Sequence, residues 1–196
     1  MKRIEIVKLK SMALEKFIKS GKKHLIITGS IGIGKTTLLN EILKELSSVS
    51  GIRTWLDIID EETGMRDIVL SEIGENTVYR VASWNGERME IIEDFFETTG
   101  SLILEEQLKN NSEIFVMDEV GPLEGKSPKF MKLLSQIFET KRVFAIMKKR
   151  ASALNRILET NTDYFLIDLD DFYTNIPYET LIKKRITGKF NNPNQK

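Results

Sequence analysis

The chain has 196 residues, 41% of them hydrophobic and 30% charged, which suits one sizeable soluble α/β domain and argues against extensive disorder. Its 29 basic and 29 acidic residues cancel, so no global field draws in nucleic acid or an anionic membrane. The absence of cysteine removes disulfides, thiolate metal sites and cysteine nucleophiles together.

The first residues, Met1 to Glu5, are charged but are not followed by the apolar run of a signal peptide, and no stretch approaches the roughly 18 apolar residues of a membrane span. A cytoplasmic protein with no membrane partner is the expectation. Residues 4 to 9 alternate in part and read as a short strand; Leu9, Met12, Ala13 and Phe17 then share one helical face that ends near Gly21. Residues 1–21 form an N-terminal extension to the core, expected to pack on it, with covering of a nucleotide base as the alternative.

His24-Leu25-Ile26-Ile27-Thr28 is a short apolar run that predicts a buried parallel strand. It leads into Gly29-Ser30-Ile31-Gly32-Ile33-Gly34-Lys35-Thr36, which fits the phosphate-binding pattern G-x-x-x-x-G-K-[ST] without a mismatch, and Thr37 follows. The glycines let the backbone turn tightly with its amide N–H groups aimed inward at phosphate oxygens. Lys35 supplies a mobile cation for the β- and γ-phosphates, and the Thr36 hydroxyl is a ligand for Mg²⁺. Leu38, Leu39, Ile42, Leu43 and Leu46 then fall on one helical face. The helix N-terminus, with its unpaired N–H groups, is thereby set against the phosphates.

Ser47 to Gly51 reads as a loop and Ile52 to Ile59 as a strand; Asp60 to Gly64 turns, and Met65 to Leu70 returns beside it. A further strand spans Thr77 to Ser83, ended by Asn85-Gly86. Asp57, Arg66 and Arg88 in these pieces are candidate substrate contacts. From about Ile91 to Lys109 the apolar spacing is helical, with Gly100 as a weak point that divides it.

Ile114-Phe115-Val116-Met117-Asp118-Glu119 is an apolar strand ending in two acids, as a Walker B element requires. Asp118 at the strand tip is placed for the Mg²⁺ shell, while Glu119, on the opposite side by strand alternation, is placed to face the γ-phosphate and an attacking water. Gly121-Pro122 ends the strand, and Ser127-Pro128 supplies a cap and first-turn proline for a helix whose expected buried face is Phe130, Met131, Leu134, Ile137 and Phe138. Arg142 to Met147 predicts another core strand, and Lys148-Lys149-Arg150 follows its end, where one cation, Arg150 foremost, can act as an arginine finger. A helix carrying Leu154, Ile157 and Leu158 and a strand from Tyr164 to Ile167 come next. The tail, residues 183–196, is basic, polar and expected to be flexible.

With the phosphate loop and Asp118-Glu119-Val120-Gly121-Pro122-Leu123-Glu124 in one chain, the sequence resembles the THEP1-type nucleoside-triphosphatases over roughly residues 24 to 168. These are small P-loop proteins with a D-E-[IV]-G-x-[ML]-E signature. The resemblance implies a three-layer α/β fold of the RecA-like (ASCE) type, a mostly parallel sheet flanked by helices, in one domain. It also implies Mg²⁺-dependent hydrolysis of ATP, GTP or another triphosphate to diphosphate and phosphate, tolerant of the base. The residues of that site are then Gly29, Ser30, Ile31, Gly32, Ile33, Gly34, Lys35, Thr36, Thr37 and Gly121 on the nucleotide, Thr36 and Asp118 on the metal, and Glu119, Lys35 and Arg150 in catalysis.

Two rival readings stand beside it. In a small nucleotide or metabolite kinase, Asp57 would serve as acceptor base under a basic lid of Lys148, Lys149, Arg150 and Arg156; Glu119, an acid suited to activating water, argues against it. A GTP-dependent switch is suggested by Asp118-Glu119-Val120-Gly121, a match to D-x-x-G, but no N-K-x-D guanine motif accompanies it. Zero net charge disfavours nucleic acid as a partner, leaving the basic tail as the one segment suited to it.

Overall fold

A strand buried on both faces reads as an apolar run, and strand β1 (His24–Thr28) is buried along its whole length, with Leu25, Ile26 and Ile27 at its centre and hydrogen-bonded His24 and Thr28 at its ends. The computed structural model describes residues 3–148 and 154–174. In it β1 belongs to an eight-stranded sheet together with β2 (Val49–Asp60), β3 (Met65–Glu72), β4 (Val78–Trp84), β5 (Met89–Ile91), β6 (Ile114–Val120), β7 (Arg142–Met147) and β8 (Tyr164–Asp168). The strand order is β5-β4-β3-β2-β6-β7-β1-β8. Pairing is parallel from β2 through β8 and antiparallel from β2 out to β5.

Helices cover both faces: α1 (Arg3–Ser20), α2 (Lys35–Leu43), α3 (Ser101–Lys109), α4 (Pro128–Thr140), α5 (Leu154–Thr160) and α6 (Leu169–Thr174). Successive side chains of a strand point to opposite faces, so each central strand feeds two cores. Leu25, Ile27, Val116, Phe144 and Ile146 pack with Ala13 and Phe17 of α1 and Leu38, Leu39 and Ile42 of α2. Ile26, Phe115, Met117, Val143 and Ala145 pack on the other face with Ile103 and Leu104 of α3, Leu134 and Phe138 of α4 and Leu154 of α5. The expected three-layer architecture is present, with β7 intervening between the strand that leads into the phosphate loop and the strand that ends in two acids.

Three local expectations are corrected. Residues 4 to 9 belong to helix α1 and not to a strand. Six partly alternating residues fit either period, and the helical spacing of buried Leu9, Ala13 and Phe17 decides it. Met12, expected on that face, is exposed. The span from Ile91 to Lys109 is not one divided helix, because Ile91 ends the edge strand β5 and a wide π-type turn over Phe96–Gly100 runs directly into α3. A Cβ on Gly100 would come 3.1 Å from the Phe96 ring and 3.4 Å from Phe130, so the glycine admits the edge-on contact of these two rings.

Two features of β2 position the site. Gly51 pairs with Val116 on β6, and any Cβ there would collide with the Val116 carbonyl; its φ of +146° is also one that side chains rarely adopt. Only glycine lets β2 lie this close to β6. Pairing of β2 with β6 stops at Arg53 opposite Asp118, whereas β2 continues to Asp60 with β3 alone beside it. The hairpin therefore projects beyond the C-terminal ends of the parallel strands.

Candidate active site

Open α/β sheets hold ligands at the carboxyl ends of their parallel strands, where loops diverge. Here that edge gathers the segments that follow β1, β6 and β7. The loop after β1 is shaped by positive φ at Gly29, Gly32 and Gly34, and Gly34, at +106°, directly precedes the first turn of α2. Lys35 folds back over the loop, its Nζ donating to the carbonyls of Gly29 and Ser30 at 3.0 and 2.9 Å. An ammonium held on two neutral carbonyls can exchange them for charged phosphate oxygens, which are stronger acceptors.

Thr36 and Asp118, 82 residues apart in sequence, meet through a hydrogen bond from Thr36 Oγ1 to Asp118 Oδ1 of 3.1 Å. Asp118 is only 4% exposed. Burial raises its pKa, with the Arg53 guanidinium and the Thr36 hydroxyl acting in the opposite direction and Glu119 reinforcing it. A buried carboxylate beside a hydroxyl, both hard oxygen donors, fits Mg²⁺, which usually takes one or two protein oxygens and completes its octahedron with water and substrate phosphates.

Glu119 reaches its position by a route that strand alternation does not describe. Between Met117 and Val120 the register against β7 slips, and Glu119 occupies the left-handed region at φ +67°. That is a β-bulge, a device that re-aims one side chain at a strand end. The Glu119 carboxylate lies 3.3 Å from Lys148 Nζ, just past β7. Behind it, buried Glu124 accepts a hydrogen bond from the Gly121 N–H at 3.1 Å, and burial raises its pKa. The Gly121 amide is thus committed to the turn that follows the bulge.

The structure joins the phosphate loop to Asp118 through Thr36 and sets Lys148 beside Glu119. Lys149, Arg150 and the basic tail lie outside the described residues. Asp57 and Arg66 sit in the projecting hairpin on opposite faces, since Asp57 pairs in register with Asp67 and Arg66 with Ile58. Arg88 pairs with Glu90 near the far edge strand, at 2.8 Å.

Two residues of this region escape motif reading. Arg53 on β2 lies with Nε 2.9 Å from Asp118 Oδ2. Asp170 on α6 accepts from both the N–H and the hydroxyl of Ser30, at 3.0 and 3.1 Å. An isolated cation within a half-buried strand, as at Arg53, is the one sequence signal that points to such a role.

Comparison with known proteins agrees with this geometry. The family model described as NTPase matches residues 24–176. The chain is similar to the nucleoside-triphosphatase THEP1 of Archaeoglobus fulgidus, 29% identical over 146 residues, covering 67% of this chain and 81% of the relative. It is likewise similar to the THEP1 of Aquifex aeolicus, 30% identical over 131 residues, 61% of this chain and 72% of the relative. Among solved structures, the crystal structure of THEP1 from Aquifex aeolicus superposes with a TM-score of 0.54 at 25% identity, covering 74% of this chain and 89% of that one. The solution structure of a human cancer-related nucleoside triphosphatase shares the fold, with a TM-score of 0.54 at 19% identity over 78% of this chain and 96% of that one.

Proposed function

The chain belongs to the THEP1 nucleoside-triphosphatase family of hydrolases, and from that premise we propose that it cleaves nucleoside triphosphates to diphosphate and phosphate in a Mg²⁺-dependent reaction in which Glu119 activates water. The observation that carries the reading is the contact of Thr36 with Asp118, which joins the phosphate loop to the acid-tipped strand.

Gly29 to Thr37 receive the phosphates through their amides, while Lys35 leaves the carbonyls of Gly29 and Ser30 for the β- and γ-phosphate oxygens. Thr36 and Asp118 would hold Mg²⁺, which when bound offsets phosphate charge and orients the γ-phosphoryl group. Glu119 takes a proton from the attacking water as oxygen bonds to the γ-phosphorus and the bridging oxygen leaves with the diphosphate. Lys148 orients the Glu119 carboxylate before the nucleotide arrives, and the cluster it opens, through Arg150, supplies a cation for charge that develops in the transition state. Recognition through the phosphates is blind to the base, which supports tolerance of ATP, GTP and other triphosphates.

Release of diphosphate and phosphate from ATP, GTP, CTP and UTP, with no acceptor present, tests this. Turnover of several triphosphates that stops on chelation of Mg²⁺ is expected. No diphosphate above background would overturn the hydrolase and favour the kinase, with Asp57 as acceptor base.

A further inference from the structure

Asp118 has two carboxylate oxygens, and each faces a different element. Oδ1 accepts from the Thr36 hydroxyl at 3.1 Å, and Oδ2 faces Arg53 Nε across 2.9 Å. The guanidinium is held in turn, because Arg53 Nη2 donates to Asn40 Oδ1 at 2.7 Å. Asn40 follows Thr36 by four residues on α2, so the two side chains stack on one helix face. Arg53 and Asp118 are direct register partners on β2 and β6. The contacts close a ring: Thr36 to Asp118, Asp118 to Arg53, Arg53 to Asn40, and Asn40 back to Thr36 through one turn of helix.

The geometry separates this guanidinium from a phosphate-binding cation. It is anchored on Asn40, one helical turn beyond Thr36 and away from the phosphate loop, and its ion-pair partner is Asp118. The Nε–H is buried and is not aligned for a true hydrogen bond, so the contact with Oδ2 is an ion pair. Groups that orient a metal's ligands from behind commonly control metal affinity, because an unbraced carboxylate must be ordered when the metal binds.

We propose that Arg53, steadied by Asn40, is a positioning residue that sets the Asp118 carboxylate for the divalent metal accompanying the triphosphate. The inference rests on the phosphate-loop and metal assignments made under the proposed function. It adds that metal affinity and nucleotide affinity are separable at this ring. Arg53 acts on the metal through Asp118, whereas the loop amides and Lys35 act on the phosphates directly.

The test is equilibrium binding of a non-hydrolysable ATP analogue to the full chain, titrated with Mg²⁺ and repeated in chelator, with Mn²⁺ as a spectroscopic probe. Arg53→Met should need about 10-fold more Mg²⁺ for half-maximal strengthening of binding, and its Mn²⁺ resonance should report weaker occupancy, while affinity in chelator stays close to wild type. Asn40→Ala should shift the Mg²⁺ requirement in the same direction by less, and the double variant should be no worse than Arg53→Met alone, as expected for one connected unit. Arg53→Lys should rescue only part, since it keeps the charge and loses the fork that reaches two partners.

Thermal unfolding in chelator establishes that each variant is folded. Should Arg53→Met fail to fold, Asn40→Ala carries the test, because it leaves the ion pair in place. An unchanged Mg²⁺ requirement in the folded variants, or an equal loss of affinity in chelator, overturns the inference while leaving the hydrolase reading intact. Wild-type binding that ignores Mg²⁺ overturns both.

Discussion

Glu119 holds a left-handed backbone conformation that a side chain seldom adopts, and a conformation of that kind persists only where its surroundings enforce it. Here the enforcing groups are the bulge against β7, the buried Glu124 on the Gly121 amide, and Lys148 beside the carboxylate. Replacing Glu119 with Gln keeps the shape and removes the proposed base. Hydrolysis should fall by about 10²- to 10⁴-fold, with triphosphate affinity changed only a few-fold, as single-turnover kinetics and equilibrium binding would report. Near-normal hydrolysis would move the base elsewhere, Asp57 first. Lys148→Ala should lower the turnover rate more than triphosphate affinity if its partner Glu119 acts in the chemical step as proposed. A loss confined to affinity would instead make Lys148 an ordinary phosphate contact.

At the scale of elements, β2 is the one that ties the sheet to the site. Its pairing with β6 runs from Val49 to Arg53, and Gly51 lets it approach. Gly51→Ala imposes a disfavoured backbone conformation, worth about 1–3 kcal/mol, and adds a collision with the Val116 carbonyl that neither strand can relieve without breaking the ladder. Gly64, in the β2–β3 turn, also has positive φ, but a Cβ there meets nothing within 4 Å. Alanine at Gly64 should therefore cost only the conformational penalty. Urea unfolding of the two variants would check the ranking, and equal losses would contradict the close approach of β2 to β6. The N-cap of α4 follows the sequence, with Ser127 Oγ accepting from the Phe130 N–H at 3.1 Å; Glu97 from the preceding π-type turn bonds the same serine.

Across the whole molecule, His24 stands where several elements meet. Its Nδ1 accepts from the Val143 N–H of β7 at 3.1 Å, its ring packs 4.9 Å from Phe138 of α4, and Asn161 beyond α5 lies 3.4 Å from Nε2. Burial, then the charge of Lys23, lowers its pKa from 6.5 to about 4, with Asp163 opposing and Arg142 assisting. A proton on Nδ1 would also face a donor. Between these two pH values the unfolded chain binds a proton that the folded chain refuses, so His24 favours unfolding progressively as pH falls from about 6.5 to about 4. The full effect is on the order of 3 kcal/mol, at about 1.4 kcal/mol for each pKa unit. Asp118 and Glu124, whose pKa values are raised by burial, act in the opposite sense as they gain protons in the folded state. Unfolding free energy measured across this range should therefore lose a destabilising contribution at low pH in His24→Gln. An unaltered profile in that variant would place the acid sensitivity elsewhere.

The phosphate loop, the strand before it, the amphipathic helix after it and the acid-tipped strand are legible in the sequence because each is a local pattern. A glycine spacing, an apolar run or a 3.6-residue period needs no knowledge of distant residues. The amphipathic helices after Ser127 and from Leu154 were legible for the same reason. Side-chain alternation along a strand is local too, and it fails at Glu119 because the bulge arises from the register of β6 against β7, which no single segment encodes. Residues 4 to 9 were ambiguous because six residues suit two periods, and packing of α1 on the face it shares with α2 resolves them. Arg53 acquires its place by standing opposite Asp118 in a parallel ladder, 65 residues away in the chain, and Asp170 by the turn of α6 back onto Ser30. Local sequence determined which chemical groups the site contains, since that is a matter of residue type and short spacing. The tertiary fold alone decided which of them touch, since strand order and register bring distant residues within hydrogen-bonding reach.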